Sequence, residues 1–281
     1  MPIKIVTDSI SDLPDSLAQA YGITVIPCYV NVDGQSFLDG IELTRQDFYQ
    51  RLPQYKNPPT TSAPGIGAFK QAYDRAIQEG ANGIISIHVA ASFSNLLNVA
   101  SLAAEAIPTI PITVVDSGQL SLGEGLLAVE AARAAQKGKN QEEIIAHIQN
   151  TVPRTYLYGI LDTLDYLHRS GRLSWMEASL GTWLDIKPVF MVNRGHVSLN
   201  RTRTYRKATE HLFRQVVALG PLEQVALIHS HPPLERMALF DRQVHQHLRV
   251  NGSLITTDIN PAVVSHVGPA ALGVVAIQAP V

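Results

Sequence analysis

Three short stretches place hydroxyls or an imidazole beside residues that break regular structure. The first is Ser265-His266-Val267-Gly268-Pro269-Ala270-Ala271-Leu272-Gly273. It reads as a loop between strands at Gly252–Asp258 and Gly273–Ala279, because Pro269 has no N–H to give a ladder. Its small residues let backbone amides and one ring approach a ligand, so His266 is a candidate either for proton transfer or for holding an anion. The second is Thr60-Thr61-Ser62-Ala63-Pro64. Its hydroxyls either cap the helix that follows or donate to a ligand oxygen. In the third, Ser92-Phe93-Ser94-Asn95, Ser94 stands where a helix begins. Free amides and the helix dipole favour an anion there, and a serine cap is the alternative.

Other constellations are weaker. Asp8-Ser9-Ile10-Ser11-Asp12 pairs carboxylates with hydroxyls, which suits a metal or phosphate, or an Asx-type cap. His229-Ser230-His231 puts both imidazoles on one face only if the strand persists past Ser230, and Pro232-Pro233 argues against that. Arg201, Arg203, Arg206 and Lys207 form a basic cluster, either a solvated face or a dock for a phosphate-bearing partner. Ser94 and His266 also provide the nucleophile and base of a serine-type esterase or thioesterase. The sequence has no Gly-x-Ser-x-Gly elbow to expose such a nucleophile, and no Gly-x-x-x-x-Gly-Lys or Gly-x-Gly-x-x-Gly loop for a nucleotide.

Alternating strands and helices position these stretches. Strands are expected at Ile3–Thr7, Thr24–Val32, Gly83–His88 and Ile112–Asp116. Helices are expected at Leu13–Tyr21, Arg45–Leu52, Gly67–Gln78, Ser94–Ala106, Gly123–Lys137 and Gln141–Thr151, with Pro53–Pro64 an extended loop. That rhythm predicts an α/β fold with a parallel sheet covered by helices on both faces. It changes near Pro153. Strands at Thr155–Asp162, Lys187–Asn193, His196–Leu199 and Val225–Ser230, a tight hairpin at Arg194-Gly195, and helices at Arg206–Leu219 and Leu234–Arg249 make a second α/β unit with a mixed sheet. Two domains, 1–153 and 154–281, are expected to pack directly together, as a chain of 281 residues allows at about 150 per domain.

The balance of the chain excludes several classes. It is 46% hydrophobic and 16% charged, with a net charge of −2, so nothing draws it to nucleic acid. No apolar run approaches the ~20 residues that span a bilayer, and the start lacks the pattern of a signal peptide. The single cysteine, Cys28, cannot form an internal disulfide. A cytoplasmic location is the default expectation.

Taken in order, these motifs resemble the DegV family of bacterial fatty-acid-binding proteins over nearly the whole chain. The carriers are Ile5-Val6-Thr7-Asp8-Ser9, Thr61-Ser62-Ala63-Pro64, Ser94 and Val114-Val115-Asp116-Ser117. They continue with Leu164-Asp165-Tyr166-Leu167, Gly171-Arg172-Leu173-Ser174, Ile186-Lys187-Pro188, Gly195-His196-Val197, Arg201 with Arg203, and His266-Val267-Gly268-Pro269. The resemblance implies a two-domain DegV-like α/β fold that buries a long-chain fatty acid, such as palmitate, between or within its domains. It places the carboxylate on Thr61 and Ser94, with His266 completing the network, and makes Ser62, Asn95, Arg172, Arg201, Arg203 and Gly268 candidate pocket or partner contacts. It also implies a carrier without a cofactor or nucleotide site, which presents the acid to a separate ATP-binding kinase subunit for conversion to an acyl phosphate. Neutral donors are expected at the headgroup, with no strong cation. Two departures stand out. Ser94-Asn95-Leu96 replaces a common Ser-Gly-Thr, and Gly268-Pro269-Ala270-Ala271 lacks a common second glycine.

Overall fold

Gly83–His88 is buried at every position, as a strand with neighbours on both edges and helices on both faces must be. It belongs to the first of three sheets in the computed structural model, which describes residues 2–172, 186–248 and 254–280. The strands are Ile3–Asp8 (β1), Thr24–Ile26 (β2), Tyr29–Val32 (β3), Gln35–Leu38 (β4), Thr60–Ser62 (β5), Gly83–His88 (β6), Ile112–Asp116 (β7), Thr155–Ile160 (β8), Lys187–Asn193 (β9), His196–Thr202 (β10), Leu222–His229 (β11), Ile255–Asp258 (β12) and Leu272–Gln278 (β13). The helices are Asp15–Tyr21 (α1), Arg45–Arg51 (α2), Ile66–Gln78 (α3), Leu96–Glu105 (α4), Leu122–Gln136 (α5), Gln141–Thr151 (α6), Asp165–Arg169 (α7), Tyr205–Ala218 (α8), Leu234–His247 (α9) and Pro261–Val267 (α10).

The first sheet is parallel, in the order β2-β1-β6-β7. The largest is mixed, β10-β9-β8-β13-β11-β12, with only β11 and β12 parallel. The turn Arg194-Gly195 joins β9 to β10 with both residues at positive φ, the geometry a two-residue hairpin demands. The expected α/β class, with a parallel sheet followed by a mixed one, is therefore present.

The halves pack directly. Helix α5 touches β1 and β6 on one side and β8 and β13 on the other. It is buried around most of its circumference, as a helix inside a core must be. Gly125 permits the fit, since a Cβ there would lie 2.6 Å from the Ser11 carbonyl oxygen.

Three local expectations need correction. Thr24–Val32 is two strands in different sheets, because the chain leaves the parallel sheet at Pro27-Cys28 and β3 pairs antiparallel with β4 and β5. Pro53–Pro64 is only partly loop, since Leu52–Gln54 forms a 3-10 turn and Thr60–Ser62 is the strand β5. Ser265–Val267 is helical, the end of α10, and the loop proper is only Gly268–Ala271. Pro261 starts that helix, where its missing N–H costs nothing. Leu173 and Ser174 of the family motif, Arg249 at the expected helix end and Gly252 at the expected strand start lie outside the described residues.

Candidate headgroup site and apolar cavity

The parallel sheet dictates where a ligand can sit. In such sheets the crevice lies beyond the carboxyl ends of the strands, where chain connections diverge. Here β1 leads out to β2 on one side while β6 leads to β7 on the other. The loops after β1, β6 and β7 deliver Ile10, then Val89, Phe93 and Ser94, then Leu120, to the wall of one cavity. Thr61, Arg172, Val263, His266 and Val267 complete it.

Polar groups gather at one end. Thr61 on β5 places Oγ1 2.8 Å from His266 Nε2 on α10. Ser94 lies just before α4. The helix begins at Leu96 rather than at Ser94, with Asn95 as the residue before it, and the Leu96 N–H donates to Ser94 Oγ at 3.3 Å. The cap and ligand readings of Ser94 are thus compatible, because the hydroxyl accepts from the helix through oxygen and keeps its hydrogen for another acceptor. Asp116 secures the loop, accepting from Ala91 N–H at 3.3 Å and Gly118 N–H at 2.8 Å. The hairpin between β9 and β10 leans on the same loop, where Ser92 Oγ donates to the Gly195 carbonyl at 2.8 Å.

The expectation of a site without a strong cation is corrected here. Arg172 lines this cavity and also a more open cleft of about 920 Å³ outside it, which Thr61, Ser62, Ser94 and Asn95 share. Burial and the Arg172 guanidinium together push the His266 imidazole down to about 4, so the ring is neutral near pH 7. An unfolded histidine titrates near 6.5. With its folded value depressed, His266 stabilises the fold above pH 6.5, and that contribution is lost as pH falls toward 4. In an NMR titration His266 is expected to protonate near pH 4; a midpoint near 6.5 would show that neither burial nor Arg172 acts on it.

The remaining candidates sit elsewhere. Gly268 ends α10 at φ +79°, and a Cβ there would lie 2.6 Å from the Tyr166 ring, so glycine is needed for the turn and for packing. Arg201 and Arg203 are exposed on and just beyond β10, away from the cavity-lining residues. His229 and His231 converge on Asp258 Oδ1, at 3.0 and 3.3 Å, although the strand ends at His229.

A smaller, deeper apolar space adjoins the cavity and shares Leu120, Val263 and Val267 with it. Leu157, Leu161, Phe190, Ile228 and Ile259 supply much of its remaining wall. No pattern in one segment marks these residues, because they come from β8, β9, β11 and the turns that follow β8 and β12. A partly polar cavity thus adjoins a buried apolar one, the form of a small-molecule site.

The sequence also gave no warning of a hydrogen-bonded chain in the core. Tyr73 Oη donates to Ser86 Oγ at 2.9 Å, Ser86 Oγ lies 2.6 Å from His88 Nε2, and His88 Nδ1 lies 2.9 Å from Asp8 Oδ2. The Ile10 N–H donates to Asp8 Oδ1 at 2.9 Å, as the Asx-type cap reading of Asp8 expects, and Thr7 Oγ1 donates to Glu124 Oε1 at 2.8 Å. Burial and the neighbouring Asp8 charge push the Glu124 carboxyl well up, so it stays protonated. Ser86, His88 and Asp8 have the spacing of a hydrolytic triad. All three are fully buried, however, and none lines a described cavity, which denies a substrate access. Asp8, His88 and Glu124 bring ligand-type atoms within 4.8 Å of one another; Asp8 and His88 are engaged in the hydrogen-bonded chain, while Glu124 holds Thr7 through Oε1.

A parallel sheet is joined through one buried helix to a mixed sheet in an α/β protein, and an apolar cavity is lined at one end by a hydroxyl, an imidazole and a guanidinium. The chain belongs to the DegV family, whose model, described as that of an uncharacterised protein family, matches residues 2–279. It is 32% identical over 276 residues to a DegV domain-containing protein of Caldanaerobacter subterraneus, covering 97% of each chain. The fold is similar to that of a DegV family protein from Thermus thermophilus described as fatty-acid-binding, with a TM-score of 0.89 and 30% identity over 99% of this chain and 100% of that one. It is also similar to DegV of Bacillus subtilis, described as a fatty acid binding protein, with a TM-score of 0.88 and 25% identity over 99% of this chain and 100% of that one. Among the described residues, no helix is long and apolar enough to cross a membrane.

Proposed function

We propose that the protein binds one long-chain fatty acid between its halves, 1–153 and 154–281, and carries it without transforming it. The observation that supports this most directly is the joining of a polar headgroup cluster to a buried apolar cavity. Burying a methylene yields about 0.8 kcal/mol, so about fourteen of them, as in palmitate, give on the order of 11 kcal/mol gross. Ordering the ligand and desolvating its head take back a large part. The carboxylate must keep its hydrogen bonds when it leaves water. In this reading Thr61 Oγ1 and Ser94 Oγ each donate one, the single N–H of neutral His266 donates from Nε2 to Thr61 Oγ1 and so leaves the threonine hydrogen for the ligand, and Arg172 supplies positive charge at the rim.

The open cleft lies on the headgroup side and suits presentation to a partner. We propose a separate ATP-binding kinase subunit there. A carboxylate oxygen attacks the γ-phosphorus, the new O–P bond replaces the bond to the β–γ bridging oxygen, and ADP leaves. Ser62 and Asn95 then face the transferred group from the cleft, and the exposed Arg201 and Arg203 meet an acidic surface or nucleotide phosphates of the partner. Mass spectrometry of denatured, freshly purified protein is expected to release a free long-chain fatty acid in stoichiometric yield, and added kinase with ATP to convert it to acyl phosphate. A protein that is empty and also fails to bind palmitate would end the carrier reading; a loaded protein that no fatty-acid kinase phosphorylates would end the presentation step alone.

A further inference from the structure

Strand register aligns four residues in one row across the mixed sheet. Phe190 on β9 faces Gly159 on β8, Gly159 faces Gly273 on β13, and Gly273 faces Ile228 on β11. All four line the deep apolar space. Residues directly opposite one another on a sheet share a face and pack side by side. Two adjacent glycines in such a row therefore leave a furrow, and the residues flanking it lean in. A Cβ on Gly159 would lie 2.3 Å from Phe190 Cζ, and one on Gly273 would lie 2.8 Å from Ile228 Cγ1.

The furrow floor and its lid differ in freedom. The floor is backbone held by ladders on both sides, and the Tyr158 carbonyl oxygen lies only 3.0 Å from a Cβ on Gly273. Phe190 is a side chain with two rotatable bonds and is 8% exposed, against 4% or less for Leu157, Leu161, Ile228 and Ile259. Of these wall residues it is the largest and the least buried.

We propose that the Gly159–Gly273 furrow receives the methyl end of the acyl chain and that Phe190 sets the longest chain the protein accepts. This rests on the fatty-acid reading above and adds a specificity determinant to it. The sheet, rather than the headgroup loops, then measures the ligand. Truncating Phe190 lengthens the space over Gly159, while adding a methyl at Gly273 fills the floor.

The test is a competition assay on delipidated full-length protein with the saturated acids from laurate to arachidate. Each methylene newly buried strengthens binding about fourfold, equivalent to about 0.8 kcal/mol. Phe190→Ala is expected to move the preferred length upward, so that an acid two methylenes longer than the wild-type optimum binds about tenfold better than it does to wild type. Phe190→Leu moves it the same way by less and serves if the alanine variant does not fold. Gly273→Ala moves it to shorter acids. A wild-type protein that binds none of the series removes the fatty-acid reading itself. A wild type that discriminates lengths, with folded Phe190 variants keeping its optimum, overturns the furrow proposal alone.

Discussion

Thr61→Val is expected to weaken palmitate binding by roughly ten- to a hundredfold, the worth of one hydrogen bond to a buried charged group. Valine keeps the shape of threonine and removes the hydroxyl. The loss is felt twice, because Thr61 Oγ1 also pairs with His266 Nε2 at 2.8 Å. Ser94→Ala is expected to cost a similar factor in affinity and little stability, since Ser94 Oγ otherwise accepts only a long 3.3 Å bond from Leu96 N–H. The double variant should lose less than the product of the two factors, because both hydroxyls serve one carboxylate and neighbours couple. Dissociation constants measured alongside circular dichroism separate affinity from folding. Wild-type affinity in both folded single variants would remove these hydroxyls from the headgroup site.

Asp8→Ala is expected to destabilise the fold by roughly 2–6 kcal/mol, because it leaves two buried groups without their hydrogen-bond partner at about 1–3 kcal/mol each. The substitution strands His88 Nδ1 and the Ile10 N–H, both of which face the Asp8 carboxylate. It also loosens the turn that carries Ile10 into the cavity wall. Glu124→Gln provides the contrast. The Glu124 carboxyl is held protonated, so a neutral amide of the same shape should cost under about 1 kcal/mol near neutral pH. The sign of the pH effect follows. A carboxyl with a raised folded value stabilises below its unfolded value, and that contribution is lost as pH rises through the folded value. Glu124→Gln should therefore flatten the fall in stability that sets in as pH rises above the unfolded value of 4.5. Urea midpoints across pH read both effects, and an Asp8→Ala protein within 1 kcal/mol of wild type would show that the chain of hydrogen bonds is not structural.

The strands at Gly83–His88, Ile112–Asp116 and Lys187–Asn193 and the helix Gln141–Thr151 match their expected spans. Each carries a strong local signal, either a short β-branched run or an amphipathic run with a capping asparagine at Asn140. The elements that were misread depend on partners distant in sequence. Strand β5 exists because β3 offers it an edge, and α10 is so short that packing against α7, β3 and β5 has to sustain it. The residues proposed for the headgroup stand out in the sequence for a related reason. Thr61 on β5, Ser94 before α4 and His266 at the end of α10 are polar side chains close to residues that break regular structure, and such contrasts show in a linear sequence. Arg172 stands out only through the family motif Gly171-Arg172-Leu173-Ser174, because nothing local distinguishes it from the other arginines.

The sequence by itself determined the alternation of elements, the change of rhythm near Pro153 and the hydroxyl and imidazole groups available for an acidic head, because each is written in spacing and side-chain type along one segment. Tertiary structure alone decided that Thr61 meets His266 across 205 positions, that Arg172 joins them, and that Phe190, Gly159, Gly273 and Ile228 share one row. Those facts depend on strand register and on how α5 joins the two sheets. Register is fixed by pairing between remote segments, and a slip of one residue would turn every side chain of a strand to its other face.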